Sequence, residues 1–212
     1  MRAAIVGHGR LPPTRGLRQL LRRAELVVCA DGGLRPMRAL GITPQAVVGD
    51  FDSASPSLLA WARKRGTLLL AHPREKDKTD TELAIQYVLR AGATTIDLIG
   101  VLGGRLDHTL ANIGLLVALA RQRRRAHIVH GDTEVFLATP RASIPGRVGD
   151  RVSLIPLSAR VTGVSTHGLK YPLADSTLRM GTTRGISNEM TASPAHVRTR
   201  HGWLLVVVEH LS

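Results

Sequence analysis

Short apolar runs alternate with amphipathic stretches through the first half of the chain. Ala3 to Gly7 reads as a buried strand, and Leu26-Val27-Val28-Cys29-Ala30 as a second. Ala46 to Val48, Thr67 to Ala71 and Ile96 to Leu102 supply three more. Between them the apolar period lengthens to that of a helix. Pro12-Pro13 breaks the chain, and Leu17, Leu20, Leu21 and Ala24 then make one apolar face. Pro36 and Gly41 suit the two ends of a short helix, and Ser55-Pro56 and Gly66 bracket another. Thr79 with Glu82 three residues later forms a capping box before Leu83, Ala84, Tyr87, Val88 and Ala91. The stretch from Gly103 to His108 opens a last helix through Leu110, Ile113, Leu116, Val117 and Ala120.

Repeated strand–helix units predict an α/β domain whose mostly parallel sheet carries helices on both faces. The pattern changes after Arg121-Gln122-Arg123-Arg124-Arg125. Short apolar stretches follow, at Ile128-Val129, Val135 to Leu137, Val152 to Ile155, Val197 to Thr199 and Trp203 to Val208, with Gly, Pro and Asp between them. No helical period appears there, and His201-Gly202 reads as a hairpin turn. The reading is a second, all-β domain of sandwich or barrel type, with the sandwich preferred. The domains are set at 1–130 and 131–212.

Composition adds four points. The chain has 212 residues with 43% hydrophobic and 21% charged positions, so it buries real cores. Its one cysteine, Cys29, has no partner for an internal disulfide, which fits a reducing cytoplasm. No apolar run is long enough to span a bilayer. The net charge of +13 raises a nucleic-acid partner, but the 3% aromatic content is thin for base stacking. The arginine run also sits where a helix ends and cations suit the dipole. The expectation is therefore no nucleic acid and no membrane, with the positive field serving an anionic phosphate substrate.

The candidate chemistry follows the strands. Gly49-Asp50-Phe51-Asp52-Ser53 ends the third one. If extended geometry continues past Gly49, the two carboxylates project to one side. Two such charges about 4 Å apart repel by roughly 1 kcal/mol in water and about 4 kcal/mol at an effective dielectric near 20. A hard divalent ion removes that conflict, and Mg²⁺ takes one or two carboxylates with substrate phosphates. The plain alternative is a strand end and a helix cap. Asp80, in a first helical turn, is either a further metal ligand or a dipole partner. Lys76, Lys78 and Thr79 precede it, where a helix start attracts anions. Asp31-Gly32-Gly33 and Gly103-Gly104-Arg105 also follow strands. In open α/β sheets ligands bind beyond that edge. Glycines there let backbone approach a ligand, and Arg105 offers a forked donor for phosphate. Asp107 is expected to cap the helix, and His108 is a phosphate ligand or an ordinary first-turn histidine. No P-loop is present.

Taken in order, Asp31-Gly32-Gly33, Gly49 to Ser53, Lys76-Asp77-Lys78-Thr79-Asp80 and Gly103 to His108 resemble the thiamine pyrophosphokinase family. Thr166-His167-Gly168-Leu169-Lys170-Tyr171-Pro172-Leu173 and Gly185-Ile186-Ser187-Asn188-Glu189 resemble that family's β-domain signatures. The resemblance implies diphosphate transfer from ATP to the hydroxyl of thiamine, releasing AMP. It implies Mg²⁺ on Asp50, Asp52 and Asp80, and ATP contacts from Asp31, Gly32, Gly33, Lys76, Lys78, Thr79, Gly103, Gly104, Arg105, Asp107 and His108. It gives Asp50, Asp52, Asp80 and Arg105 the catalytic roles, and Ser187 and Asn188 hydrogen bonds to the aminopyrimidine. From the residues alone those last two are turn formers. It further implies a homodimer with thiamine sites between subunits. The alternatives are a diphosphokinase for another hydroxymethyl heterocycle, such as 6-hydroxymethylpterin, and a non-catalytic nucleic-acid-binding protein.

Overall fold

A computed structural model describes residues 1–9, 11 and 15–211, with the side chain of Arg15 excepted. The Pro12-Pro13 break lies outside the described residues. The chain divides into two compact units, Met1–Gly131 and Asp132–Ser212.

The first unit is a parallel sheet with helical crossovers. Its strands are β1 (Arg2–Val6), β2 (Leu26–Ala30), β3 (Ala46–Gly49), β4 (Leu68–Ala71), β5 (Thr95–Ile99) and β6 (Arg125–His130). They lie in the order β6-β5-β1-β2-β3-β4, and every pairing is parallel. The helices are α1 (Arg15–Arg23), α2 (Leu34–Ala39), α3 (Pro56–Lys64), α4 (Asp80–Arg90) and α5 (Leu106–Arg121). Strand residues alternate between faces. Ala4, Val6, Val27, Cys29 and Val47 pack with Leu17, Leu21, Met37, Leu58 and Ala62 of α1, α2 and α3. The other face, with Ile5, Val28 and Val48 buried, is covered by Ala84, Ile85 and Val88 of α4. This is the α/β architecture read from the sequence. Ile128-Val129, read with the later apolar stretches although inside 1–130, belongs to β6, which pairs parallel to β5 in the α/β sheet.

Two local signals explain the helix starts. Ser55 caps α3 with its hydroxyl accepting the Leu58 N–H, and Pro56 follows at the first position. Thr79 caps α4, its Oγ1 accepting the Glu82 N–H at 3.2 Å. The expectation for α5 is corrected. Its cap residue is Arg105 and no side chain caps it, so Asp107 lies inside the first turn.

The second unit is antiparallel. β7 (Thr133–Ala138), β14 (Leu204–Glu209), β9 (Arg151–Pro156) and β12 (Asn188–Glu189) form one sheet. β8 (Arg141–Ile144), β13 (Ala195–Arg198), β10 (Arg160–His167) and β11 (Ser176–Arg179) form the other. Phe136, Leu154, Leu204 and Val206 of the first sheet meet Ile144, Val161, Leu178 and Val197 of the second in one core. That is a sandwich. His201-Gly202 is not a hairpin turn. β13 and β14 pair in different sheets, so the segment is a corner between layers. Gly202 is needed there, because a Cβ would stand 2.6 Å from the Arg160 carbonyl oxygen.

Candidate functional site

The carboxyl ends of β2 and β3 bring three acids together. Asp31 opens a 3₁₀ turn directly after β2, with a left-handed φ of 36°. The two glycines that follow are steric necessities. A Cβ on Gly32 would overlap His8 Nδ1 at 1.8 Å, and one on Gly33 would strike the Val6 carbonyl oxygen at 1.9 Å. The turn is thus pressed against the end of β1, and Asp31 is buried.

Gly49 ends β3. Extended geometry does not continue past it, which corrects the alternation argument for Asp50 and Asp52. Phe51 has φ 62°, and the Asp52 N–H donates to Asp50 Oδ1 at 3.2 Å. A tight left-handed turn folds the two carboxylates back on one another. One oxygen each from Asp31, Asp50 and Asp52 lies within 4.8 Å of the others. A Cβ on Gly49 would sit 2.8 Å from Asp31 Cβ and 3.3 Å from Asp80 Cγ, so this glycine is where the groups converge.

Asp80 enters from the first turn of α4, and Lys76 ties it in. Lys76 Nζ is 3.1 Å from Asp80 Oδ1 and 3.6 Å from Asp50 Oδ2. The expected set of Asp50, Asp52 and Asp80 is therefore gathered in two ways. Asp50 and Asp52 join Asp31 directly, while Asp80 joins through the lysine. Asp31 as a member of the carboxylate group was not foreseen. The available signal was its place at a strand end beside two glycines.

The electrostatics follow. The Asp52 N–H, with Lys76 and Arg74, holds the Asp50 carboxyl below its ordinary range against the effect of burial. Burial pushes the Asp80 carboxyl up, helped by the charges of Asp31 and Asp50 and opposed by Lys76. Burial disfavours the Lys76 charge, but Asp80 and Asp50 outweigh it and raise the lysine. Asp31 Oδ1 is buried and has no hydrogen-bond partner. A buried carboxylate oxygen left unmatched costs roughly 1–3 kcal/mol or more. Three convergent carboxylates with one such orphan are a donor set for a hard divalent cation, so the residues fit that group.

The other expected residues stand as follows. Lys78 is exposed at the approach to α4, and Thr79 is occupied as its cap. Gly103 and Gly104 both have positive φ (82° and 73°) and leave the loop after β5 open and exposed. Asn112 of α5 anchors that loop, donating to the Val101 carbonyl at 2.7 Å. Arg105 donates through Nε and a terminal nitrogen to Asp107. That fork, with the His108 N–H, draws the Asp107 carboxyl down to about 2. His108 itself is exposed. Two histidines of this edge were missed: His8, against Gly32, and His130, whose Cε1 is 3.5 Å from a Cβ built on Gly103.

In the second unit Asn188 is buried and structural. Its Oδ1 accepts the Tyr171 and Glu189 N–H groups, and its amide donates to the Tyr171 carbonyl. Ser187 precedes it in a left-handed conformation (φ 57°), with its N–H on Ser153 Oγ. Asn188 fixes the Tyr171 loop and keeps one amide hydrogen for anything else.

Both units match known protein families. The catalytic-domain model of thiamin pyrophosphokinase matches residues 17–129, and the model of its vitamin B1 binding domain matches residues 142–204. A relative in Bacillus subtilis, a thiamine pyrophosphokinase, is 29% identical over 184 residues, covering 86% of each chain. A crystal structure of thiamine pyrophosphokinase from that organism superposes with a TM-score of 0.87 at 27% identity, covering 99% of both chains. One from Geobacillus thermodenitrificans gives 0.84 at 31% identity over 100% of this chain and 99% of that one.

Proposed function

Because this chain belongs to the thiamin pyrophosphokinase family, with the catalytic-domain match alone covering more than half of it, we propose how its own residues carry out the family reaction. The chain is a thiamine pyrophosphokinase, a transferase that moves diphosphate from ATP to thiamine. The pterin alternative is not favoured, since the second unit also matches a vitamin B1 binding domain.

In the reaction the thiamine hydroxyl oxygen attacks the β-phosphorus of ATP. The bond from that phosphorus to the oxygen bridging the α-phosphate breaks, and AMP leaves. Asp50 and Asp52, joined by Asp31 and Asp80, would hold Mg²⁺. When bound, the ion offsets charge on the polyphosphate oxygens and the leaving group. Asp50, held in its ionised form by the Asp52 N–H and Lys76, is suited to binding a cation and poorly suited to taking a proton. Lys76, half-buried between two carboxylates, stays charged and supplies a fixed positive group just before α4. Lys78 and the open loop Gly103-Gly104-Arg105 add phosphate donors, and Arg105 must exchange Asp107 for phosphate to do so. Asp31-Gly32-Gly33, Thr79, Asp107 and His108 line the nucleotide side. A loose transition state needs positioning and charge more than a strong base, so the hydroxyl proton passes to a carboxylate of the cluster or to water.

The first unit, 1–130, is the ATP- and Mg²⁺-binding catalytic domain in this reading. The second, 131–212, binds thiamine through Ser187 and the remaining Asn188 amide hydrogen. It also forms a homodimer, and the enzyme is cytoplasmic. Among the described residues no helix is long and apolar enough to cross a membrane. The observation that carries the reading is the convergence of Asp31, Asp50 and Asp52 within 4.8 Å beside Lys76. The test is AMP formation from ATP and Mg²⁺ with thiamine, with 6-hydroxymethylpterin, and with neither. AMP and thiamine diphosphate appearing together only with thiamine is expected. ADP as the product, or turnover on the pterin alone, contradicts it.

A further inference from the structure

The first unit is electrically polarised along its strands. Of its ten acidic residues, eight lie at the carboxyl edge of the sheet: Asp31, Asp50, Asp52, Asp107 and the four from Glu75 to Glu82. The amino edge is the reverse. Crossover helices run against their strands, so every helix ends on that edge. A chain of hydrogen bonds follows it: Arg125 N–H to Thr94, Thr94 N–H to Met1, Glu25 N–H to Arg2, Gln45 N–H to Val27, and Leu68 N–H to Gln45. The last turns delivered there carry Arg22-Arg23, Arg38, Arg63-Lys64, Arg90 and Arg121. Arg65, Arg123 and Arg124 follow in the connections and Arg125 opens β6, and nearly all of these side chains are exposed. Among the described residues no carboxylate pairs with any of them. Glu25, the one exposed acid on this edge, accepts the Arg2 N–H instead. Arg124 Nε is buried without a hydrogen-bond partner. Helix dipoles account for one cation per helix end. They do not account for Arg63 beside Lys64, next to Arg65 over the Trp61 ring, or for four across Arg121–Arg125.

We infer that this amino edge is a second binding surface, opposite the carboxylate cluster, that takes the phosphate backbone of duplex nucleic acid without reading its bases. Six strands about 4.8 Å apart make an edge about 24 Å wide. At a rise of about 3.4 Å that spans roughly seven base pairs. Arginine suits phosphate through its forked donors. Among the described residues exposed along the edge none is aromatic, Trp61 of α3 being half-buried with Arg65 over its ring, so recognition stops at the backbone. A membrane surface is the weaker fit, since a single large exposed apolar side chain, Leu68, lies on this edge among the described residues, while Leu106 and Leu110 lie at the other end, in the first turns of α5.

The test uses the full chain and a fluorescently labelled 20-base-pair DNA duplex, titrated from low to physiological salt. The edge variant is R63Q/R121Q/R125Q. The control, R141Q/R160Q/R198Q, removes the same charge from exposed positions of the second unit. The expected result is a salt slope shallower by about 2.7 in the edge variant and at least tenfold weaker binding near 0.1 M salt, with the control close to wild type. Each single edge substitution should lower the slope by about 0.9, which keeps the test open if the triple variant fails to fold. AMP formation with thiamine should be unchanged in the edge variant. Equal losses in edge and control variants, no duplex binding at low salt, or binding only to phosphatidylglycerol vesicles would each overturn the inference.

Discussion

Gly49→Ala is the sharpest test of how the carboxylate cluster is built. The new Cβ would stand 2.8 Å from Asp31 Cβ and 3.3 Å from both Asp31 Cα and Asp80 Cγ. Carbon atoms prefer separations of about 3.5–4.0 Å, so Asp31 must retreat by roughly 0.7 Å or more. It has little room, being buried and held in a left-handed turn against β1. Misplacing a reacting group by about 1 Å costs on the order of a hundredfold in rate, so a loss of 10- to 100-fold in kcat is expected. Overpacking of this kind destabilises by about 1–3 kcal/mol, a drop of roughly 2–4 °C in Tm per kcal/mol for a chain of this size. The assay is AMP formation with saturating ATP, Mg²⁺ and thiamine at 25 °C, with circular dichroism to confirm the fold. Gly41→Ala is the control. It also replaces a positive-φ glycine, but nothing lies within 4 Å of the added atom, so it should cost stability and leave kcat alone. A Gly49→Ala enzyme with wild-type kcat would refute the claim that this glycine admits Asp31 and Asp80 to the site.

Four further outcomes are expected. Asp52→Asn should abolish metal-dependent turnover with a nearly unchanged melting curve, because its carboxylate is exposed and its contacts outside the cluster, the Ser53 hydroxyl and Arg74, are surface ones worth little. Asp150→Ala should destabilise by about 3 kcal/mol in chemical denaturation, since its buried carboxylate accepts from the Arg147 and Leu211 N–H groups and from His210. Burial alone would raise the Asp150 pKa, but those three donors outweigh it and depress it. The stability it contributes is thus complete above the ordinary carboxylate pKa of about 3.9 and is lost as pH falls through the lower folded value. Asp150→Asn should accordingly flatten the acid limb of the stability curve below about pH 4. Arg2→Met should cost on the order of 3–5 kcal/mol by Tm or denaturant midpoint, because it strands the fully buried Asp97, now bound by Arg2 Nε at 2.6 Å. Cys29, fully buried and with its thiol pKa pushed well up by desolvation, should ignore a disulfide reagent until the protein is unfolded.

The parallel half was legible because its strands are unbroken apolar runs and its helices carry caps and a clean period. Ser55-Pro56 and Thr79 behave as their chemistry dictates. The antiparallel half was less so. β10 has its period-two pattern interrupted at Gly163, where the register with β11 shifts between Val161 and Val164. β8 and β11 each bury one large apolar side chain, Ile144 and Leu178, which is too little for a pattern to detect. β6 was grouped with the later strands because its Ile128-Val129 core is short and its flanks are charged or histidine. At the site, residue types were readable and geometry was not. Asp50 and Asp52 meet through a left-handed Phe51, a conformation that no propensity assigns to phenylalanine. Asp31 joins them only because the 3₁₀ turn after β2 lies beside the end of β3, a relation set by sheet order. Asn188 was assigned to substrate by resemblance, while its amide mostly fixes the Tyr171 backbone.

The most direct test of the central claim is anomalous diffraction from crystals soaked with Mn²⁺ and an ATP analogue that cannot be cleaved between the α- and β-phosphates. A manganese peak bonded to carboxylate oxygens of Asp50 and Asp52, with Asp31 or Asp80 in reach, is the predicted result. A bound nucleotide whose metal lies away from all four aspartates would contradict it.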